Sequence, residues 1–184
     1  FERLSYQIRS LQRDDAAPDD EADDLDLLAE EAAAMAEETD FRPLYDPERR
    51  LFHIGHNAST GRTDPHHYDL LASEARLASF FAIAKGDVPP EHWFHLQRPV
   101  ARAEGGLALL SWNGSMFEYL MPRLLLRPDT DTLLGESDRA AVATQRAYGR
   151  RHGVPWGISE SGYSARDPDH RYRYQAFGVP ALGL

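Results

Sequence analysis

The chain has 184 residues, 42% of them hydrophobic, with a formal net charge of −10 at pH 7 and no cysteine, which is enough apolar material for one core of ordinary size and excludes disulfides, thiolate zinc sites and cysteine nucleophiles. No apolar run reaches the roughly 18 residues of a membrane span, and no signal-peptide pattern is present. The charge is uneven: residues 1–40 carry 14 Asp/Glu against Arg3, Arg9 and Arg13, a net of −11, whereas residues 41–184 carry 16 acids against 17 Lys/Arg, a net of +1, so neither part offers the basic face that nucleic acid requires.

In chain order, FERLSYQIRSLQRD (1–14) shows a short helical stripe, and DAAPDDEADD (15–24) reads as a linker because Pro18 and like charges oppose order. LDLLAEEAAAMAEE (25–38) is Ala-rich and begins with acids, which predicts a solvated helix. LYD and LFHIG flank the turn PERR, so a short hairpin is expected across 44–55. Asp64 and Pro65 read as the cap and first residue of a helix over 65–85, with Gly86 as its stop. PPEHW (89–93) starts one turn, and VARAEGGLALLSW (100–112) forms a second hairpin through Glu104-Gly105-Gly106. GSMFEYLMPRLLL (114–126) is an apolar helix kinked or ended at Pro122. ESDRAAVATQRAYGRRH (136–152) is amphipathic, with Ser137 as its cap and Gly153 as its stop. RYRYQAF (171–177) alternates like a strand, and GVPALGL ends the chain in turns. The long elements are helices, so the expected class is all-α, with short β-hairpins in the connecting loops. A first residue other than Met and an end without a polar tail set the expectation of a piece of a longer protein.

Two acids draw attention. On a 65–85 helix, Glu74 falls in the middle of the stripe of Leu70, Leu71, Leu77, Ala78 and Phe81. A buried carboxylate must be paired, protonated or turned to a cavity. A salt bridge to Arg76, Arg62 or Arg102 is one reading; a general acid with a raised pKa is the other. Glu160 lies in GVPWGISESGY (153–163), where Pro155, Gly157 and Gly162 forbid a helix. It is either a solvated turn acid or a carboxylate held beside Trp156 and Tyr163. Glu118 in MFEYLMP borders an apolar stripe and is equally readable as a buried structural partner or a ligand contact. Trp112, Trp156 and Tyr163 offer flat faces for sugar rings, and Asp69, Asn113, Ser159, Ser161, Arg166 and Asp167 offer polar contacts. His53/His56 and His92/His95 are HxxH pairs, but HExxH is absent and no metal is assigned. No cofactor motif occurs: GxxxxGK[ST], strand-linked GxGxxG and GxSxG are all missing.

The stretches ETDFRPLYDPERRLFHIGHN, YDLLASEARLASFFAIAKGDVP, SWNGSMFEYLMP and GVPWGISESGYSARD resemble the central glucoamylase-like region of cyclic β-1,2-glucan synthases, and the likeness covers about 38–184. It implies part of an (α/α)6 barrel, with residues 1–40 as an acidic helical leader and 41–184 as the N-terminal portion of the domain. It implies cyclisation of linear β-1,2-glucan by transglycosylation, with endo-β-1,2-glucan hydrolysis or non-catalytic glucan binding as alternatives. Position by position, Glu74 takes the place of the acid/base carboxyl and Glu160 that of the nucleophile-side carboxyl. The implied substrate contacts are Trp112, Asn113, Glu118, Trp156, Tyr163, Arg166, Asp167 and Asp69. The implied partners are the glucan and the remainder of a membrane-embedded parent, whose cytoplasmic side this segment would face without touching the membrane. Twelve helices make such a barrel and this chain supplies about five, so uncovered faces set the further expectation of self-association or of an inactive fragment.

Overall fold

The computed structural model describes residues 19–175 and 177–184, with 19–23, 161–165 and 172–175 described as backbone only. Two compact units divide the chain, one ending at Asp40 and the other spanning Phe41–Leu184. In the first, α1 (Asp19–Glu38) starts six residues before the expected helix. The stretch expected to be a linker, 15–24, therefore includes the start of this helix from Asp19 on.

The second unit is built around hairpins. β1 (Tyr45–Asp46) and β2 (Leu51–His53) pair antiparallel, Tyr45 opposite Phe52, as the PERR turn predicts. The segment expected to open a helix at Pro65 instead supplies β5 (His67–Tyr68), which pairs with the other edge of β2, His53 opposite His67. Between them lies the small hairpin β3 (His56–Asn57) and β4 (Arg62–Thr63). The Asp64 carboxylate accepts the backbone N–H of His66 at 2.8 Å, a local turn and not a helix cap. The helix α2 runs only over Arg76–Lys85 and stops at left-handed Gly86 (φ 79°). Next come α3 (Glu91–His95) and the predicted hairpin of β6 (Val100–Ala103) and β7 (Gly106–Leu109). α4 (Met116–Leu120) follows, with a 3-10 turn at Pro122–Leu124. α5 (Leu133–His152) is capped by Thr132, whose hydroxyl accepts the N–H of Gly135, and ends at Gly153. Ser137, the expected cap, is buried and accepts the N–H of Leu109. A last hairpin joins β8 (Ser161–Arg166) to β9 (Tyr172–Gln175).

The all-α expectation is therefore wrong. The described residues form a mixed α/β fold with nine strands in four small antiparallel sheets. The hairpins are not loop decoration: Phe52, Ala108 and Leu109 on β2 and β7 are core residues, while α3 and α4 have only five residues each. Leu71, Leu96, Leu109, Tyr119, Ala141, Val179 and Leu182 share one core cluster; Phe52, Ala82 and Val88 form a second. The Tyr119 hydroxyl donates to Leu109 O at 2.6 Å and Leu182 O at 3.2 Å, and burial raises its pKa to about 12. The chain end crosses Gly114 closely. A Cβ on Gly178 would lie 2.3 Å from Asn113 O and 2.4 Å from Ser115 N, so only glycine fits there. The buried face of α2 is Arg76, Ser79 and Ala82, and not the expected stripe. Leu77 and Phe81 are half-buried and Phe80 is exposed. They line an apolar hollow with Phe41, Leu125 and Leu126.

Candidate active site

Glu74 occupies a turn, not a helix. Leu71 N donates to Gln97 O at 3.0 Å and Gln97 N to Asp69 O at 2.6 Å, which pins 69–71 against residue 97. Ser73 then breaks the backbone pattern with its side chain: its hydroxyl accepts the Ala75 N–H at 3.1 Å and donates to the Glu74 carboxylate at 3.3 Å. Such local bonds compete with helix formation, which is why α2 starts only at Arg76. The stripe that assigned Glu74 to a buried helix face thus does not exist, although the residue is half-buried.

Arg76 holds this turn from below. Its guanidinium is 3% exposed and donates to Ser73 O (3.1 Å), Glu118 O (2.8 Å) and Tyr119 O (2.7 Å). It lies 4.0 Å from Asp138, whose other oxygen is 3.5 Å from Arg123. Among the described residues Glu74 has no ion pair with Arg76, Arg62 or Arg102. Burial pushes its carboxyl above the ordinary range; its own backbone N–H opposes the shift, and the charges of Glu118 and Glu160 add to it.

Glu160 arrives from the opposite direction in sequence. Past Gly153 the chain leaves α5 and Gly157 adopts φ 93°. The fully buried Gln145 on α5 clamps this loop: its Oε1 accepts from Gly157 N (3.2 Å) and Ile158 N (2.8 Å), and its Nε2 donates to Gly114 O (3.1 Å) and Ile158 O (3.0 Å). The loop in turn satisfies the free N–H groups that begin α4. Met116 N donates to Ile158 O at 2.9 Å, and Phe117 N to Ser159 Oγ at 3.1 Å. Glu160 follows directly and is half-buried. Tyr68, at the end of β5, completes the group. Burial raises its hydroxyl pKa, and the negative charges of Glu74 and then Glu160 raise it further. Tyr68, Glu74 and Glu160 therefore share one electrostatic neighbourhood.

Glu118 is 1% exposed and serves the start of α4. Its carboxylate accepts from Ser111 Oγ, Ser115 N and Ser115 Oγ, each at 2.9 Å, and from Asn113 N at 3.2 Å. With the Ser115 hydroxyl it closes a capping box. Asn113 is half-buried, and Trp112 and Trp156 are 46% and 51% exposed, with faces open to a ligand. The half-buried Asp69 accepts Gln97 Nε2 at 2.8 Å through one oxygen; its other oxygen is buried with no hydrogen-bond partner. The Tyr163 side chain lies outside the described residues. Arg166 is exposed at the end of β8 and Asp167 forms the hairpin turn, accepting Asp169 N and Arg171 N. Arg166 is the last of the six residues of β8, which starts directly after Glu160, so roughly 20 Å of chain lies between Glu160 and this end of the hairpin.

The sequence points to Arg76 only as an ion-pair partner for Glu74, whereas it binds the carbonyls of Ser73, Glu118 and Tyr119; Gln145 goes unnoticed. A signal existed for Gln145: it sits on the buried face of α5 with Ala141 and Thr144, and a polar residue there must find partners.

A family model described as a putative glucoamylase matches residues 66–183, the segment from β5 to the chain end that carries Tyr68, Glu74, Gln145 and Glu160. The chain is also 50% identical over 158 residues to the cyclic beta-(1,2)-glucan synthase NdvB of Rhizobium meliloti (strain 1021). That alignment takes in 86% of this chain and spans 6% of the length of that protein. Among the described residues no helix is long and apolar enough to cross a membrane. The match over most of the chain makes it a member of the putative glucoamylase family, a carbohydrate-active group.

Proposed function

We propose that the chain supplies the paired carboxylates of a transglycosylating site that closes linear β-1,2-glucan into rings, acting as one segment of a much longer synthase. The observation that carries this reading is the neighbourhood of Glu74 and Glu160. Burial is the main cause of the raised pKa at both Glu74 and Tyr68, and the charge of Glu160, far away in sequence, adds to each. Glycosyl transfer needs one carboxyl to protonate the leaving oxygen and another, ionised, to support attack at the anomeric carbon. Glu74 holds its proton to higher pH than an ordinary carboxyl, which suits the donor role.

Ring closure converts one β linkage into another, so configuration is retained. Retention by double displacement asks for carboxyls about 5–5.5 Å apart. The exposed rings of Trp112 and Trp156 suit packing against sugar faces, and the natural partners are the glucan chain and the rest of the parent synthase. The test is product analysis on linear β-1,2-glucan with the parent synthase carrying Glu74→Gln or Glu160→Gln. Ring formation should fall about 100-fold or more in each, with linear chains accumulating. Undiminished rings would overturn the reading, and short linear oligomers from the unmodified protein would make it a hydrolase.

A further inference from the structure

The sheet β1–β2–β5 brings three metal-ligating side chains together, one from each strand. Asp46, His53 and His67 are all half-buried, and each can offer a ligand atom within 4.8 Å of the other two. His67 Nε2 lies 3.0 Å from Asp46 Oδ2. Neighbouring ligands of a tetrahedral ion, bound at about 2.0–2.1 Å, stand about 3.3 Å apart, so an ion can replace the proton that bridges these two atoms now.

The surroundings are those of ligands already oriented. His53 Nδ1 sits 2.8 Å from Asp64 O. A carbonyl accepts only, so this nitrogen carries the proton and Nε2 keeps its lone pair free. Metal-bound imidazoles are held this way, by a backbone carbonyl on the other ring nitrogen. Asp46 is similarly divided. Its Oδ1 accepts Glu48 N at 2.9 Å and Arg49 N at 3.1 Å, which turns Oδ2 towards His67. The rings of His53 and His67 are neighbours, centroids 4.3 Å apart and planes tilted by 34°, in register across β2 and β5.

Four other histidines, including the second member of each HxxH pair, have partners of their own. His92 is fully buried and joins Arg50 O (2.8 Å) to Ser79 Oγ (2.9 Å). His56 is exposed and bonded to Thr63 Oγ1, His66 to the Asp64 carboxylate, and His95 to Arg50. Neither HxxH pair works as a unit; the ligand pair is the cross-strand one.

We propose that Asp46, His53 and His67 bind one divalent transition ion of the zinc class. Two imidazoles and one carboxylate suit Zn²⁺, with a fourth position left for water. The ion would staple β5 to the β1–β2 hairpin and so fix Tyr68, the next residue after His67. The inference stands apart from the proposed glycosyl transfer.

The test uses the full chain, stripped with chelator and dialysed against Zn²⁺ alone. About one zinc per chain should be retained, with a raised melting temperature. Asp46→Asn, His53→Ala and His67→Ala should each weaken binding at least tenfold, while His56→Ala and His66→Ala leave it unchanged. Should the ligand variants fold poorly, Co²⁺ added to the unmodified chain decides the matter, because a tetrahedral N/O site gives visible ligand-field bands. Clearly less than one zinc per chain, zinc kept in full by folded His53→Ala and His67→Ala, or a Co²⁺ spectrum identical to the hydrated ion would each overturn the site.

Discussion

Gln145 holds both backbone polar groups of Ile158, accepting from Ile158 N at 2.8 Å and donating to Ile158 O at 3.0 Å. A single side chain on α5 thereby fixes the loop that presents Glu160 two residues later. Gln145→Leu fills much the same space but takes the acceptor from the N–H groups of Gly157 and Ile158, each loss costing about 1–3 kcal/mol, whereas Gly114 O keeps Val179 N and Ile158 O keeps Met116 N. The expected loss of stability is about 2–4 kcal/mol by urea unfolding, with amides 157–158 exchanging faster than those of β6–β7. Wild-type exchange at 157–158 in this variant would show that the loop is held by other means.

Glu118 separates a structural from a ligand-binding role. Its carboxylate collects donors from Ser111, Asn113 and Ser115 while 1% exposed. Glu118→Ala leaves those donors buried and should cost about 3 kcal/mol or more. Glu118→Gln, which places an NH₂ group against donors, should cost less but still lower the unfolding midpoint. A direct sugar contact predicts a different outcome, a weakened KM with the midpoint unchanged.

Asp138 gives the fold a pH dependence of definite sign. Burial raises its pKa to about 6, against the opposing pull of Arg76 and Arg123. The folded state therefore binds more protons than the unfolded chain between the ordinary value of 3.8 and about 6. Stability from this group is complete below the lower value and is lost as pH rises through the upper one. The loss should amount to about 1–3 kcal/mol. Urea titrations at several pH values should show this fall in the wild type and a flatter profile in Asp138→Asn. Parallel profiles would contradict the assignment.

The local signals in the sequence were sound wherever turn chemistry decided the outcome. PERR and Glu104-Gly105-Gly106 made their hairpins, and Gly86 and Gly153 ended their helices in the left-handed conformation. Periodicity misled where tertiary pairing or side-chain bonds overrode it. His67–Tyr68 joined β2, and Ser73 turned the chain before α2 could begin. The stripe sets Glu74 on a helix beside Leu70 and Leu71, whereas in the structure it occupies a turn, where the charges of Glu118 and Glu160 reach it. The clamps at Arg76 and Gln145 act through backbone carbonyls and amides, which carry no sequence signature of their own. The class is hard to read because strands of two to four residues are too short to show a pattern, although Phe52 and Leu109 on them anchor the core.

The meeting of the two acids can be measured directly by following the Glu74 carboxyl carbon through a pH titration by NMR, in the wild type and in Glu160→Gln. Glu74 titrates above an ordinary glutamate because of burial first, and then because of neighbouring negative charge. Removing the charge at Glu160 should lower its midpoint while leaving it above the ordinary value. An identical midpoint in the two proteins would mean that Glu160 stands apart from Glu74, and the paired-carboxylate site would not exist.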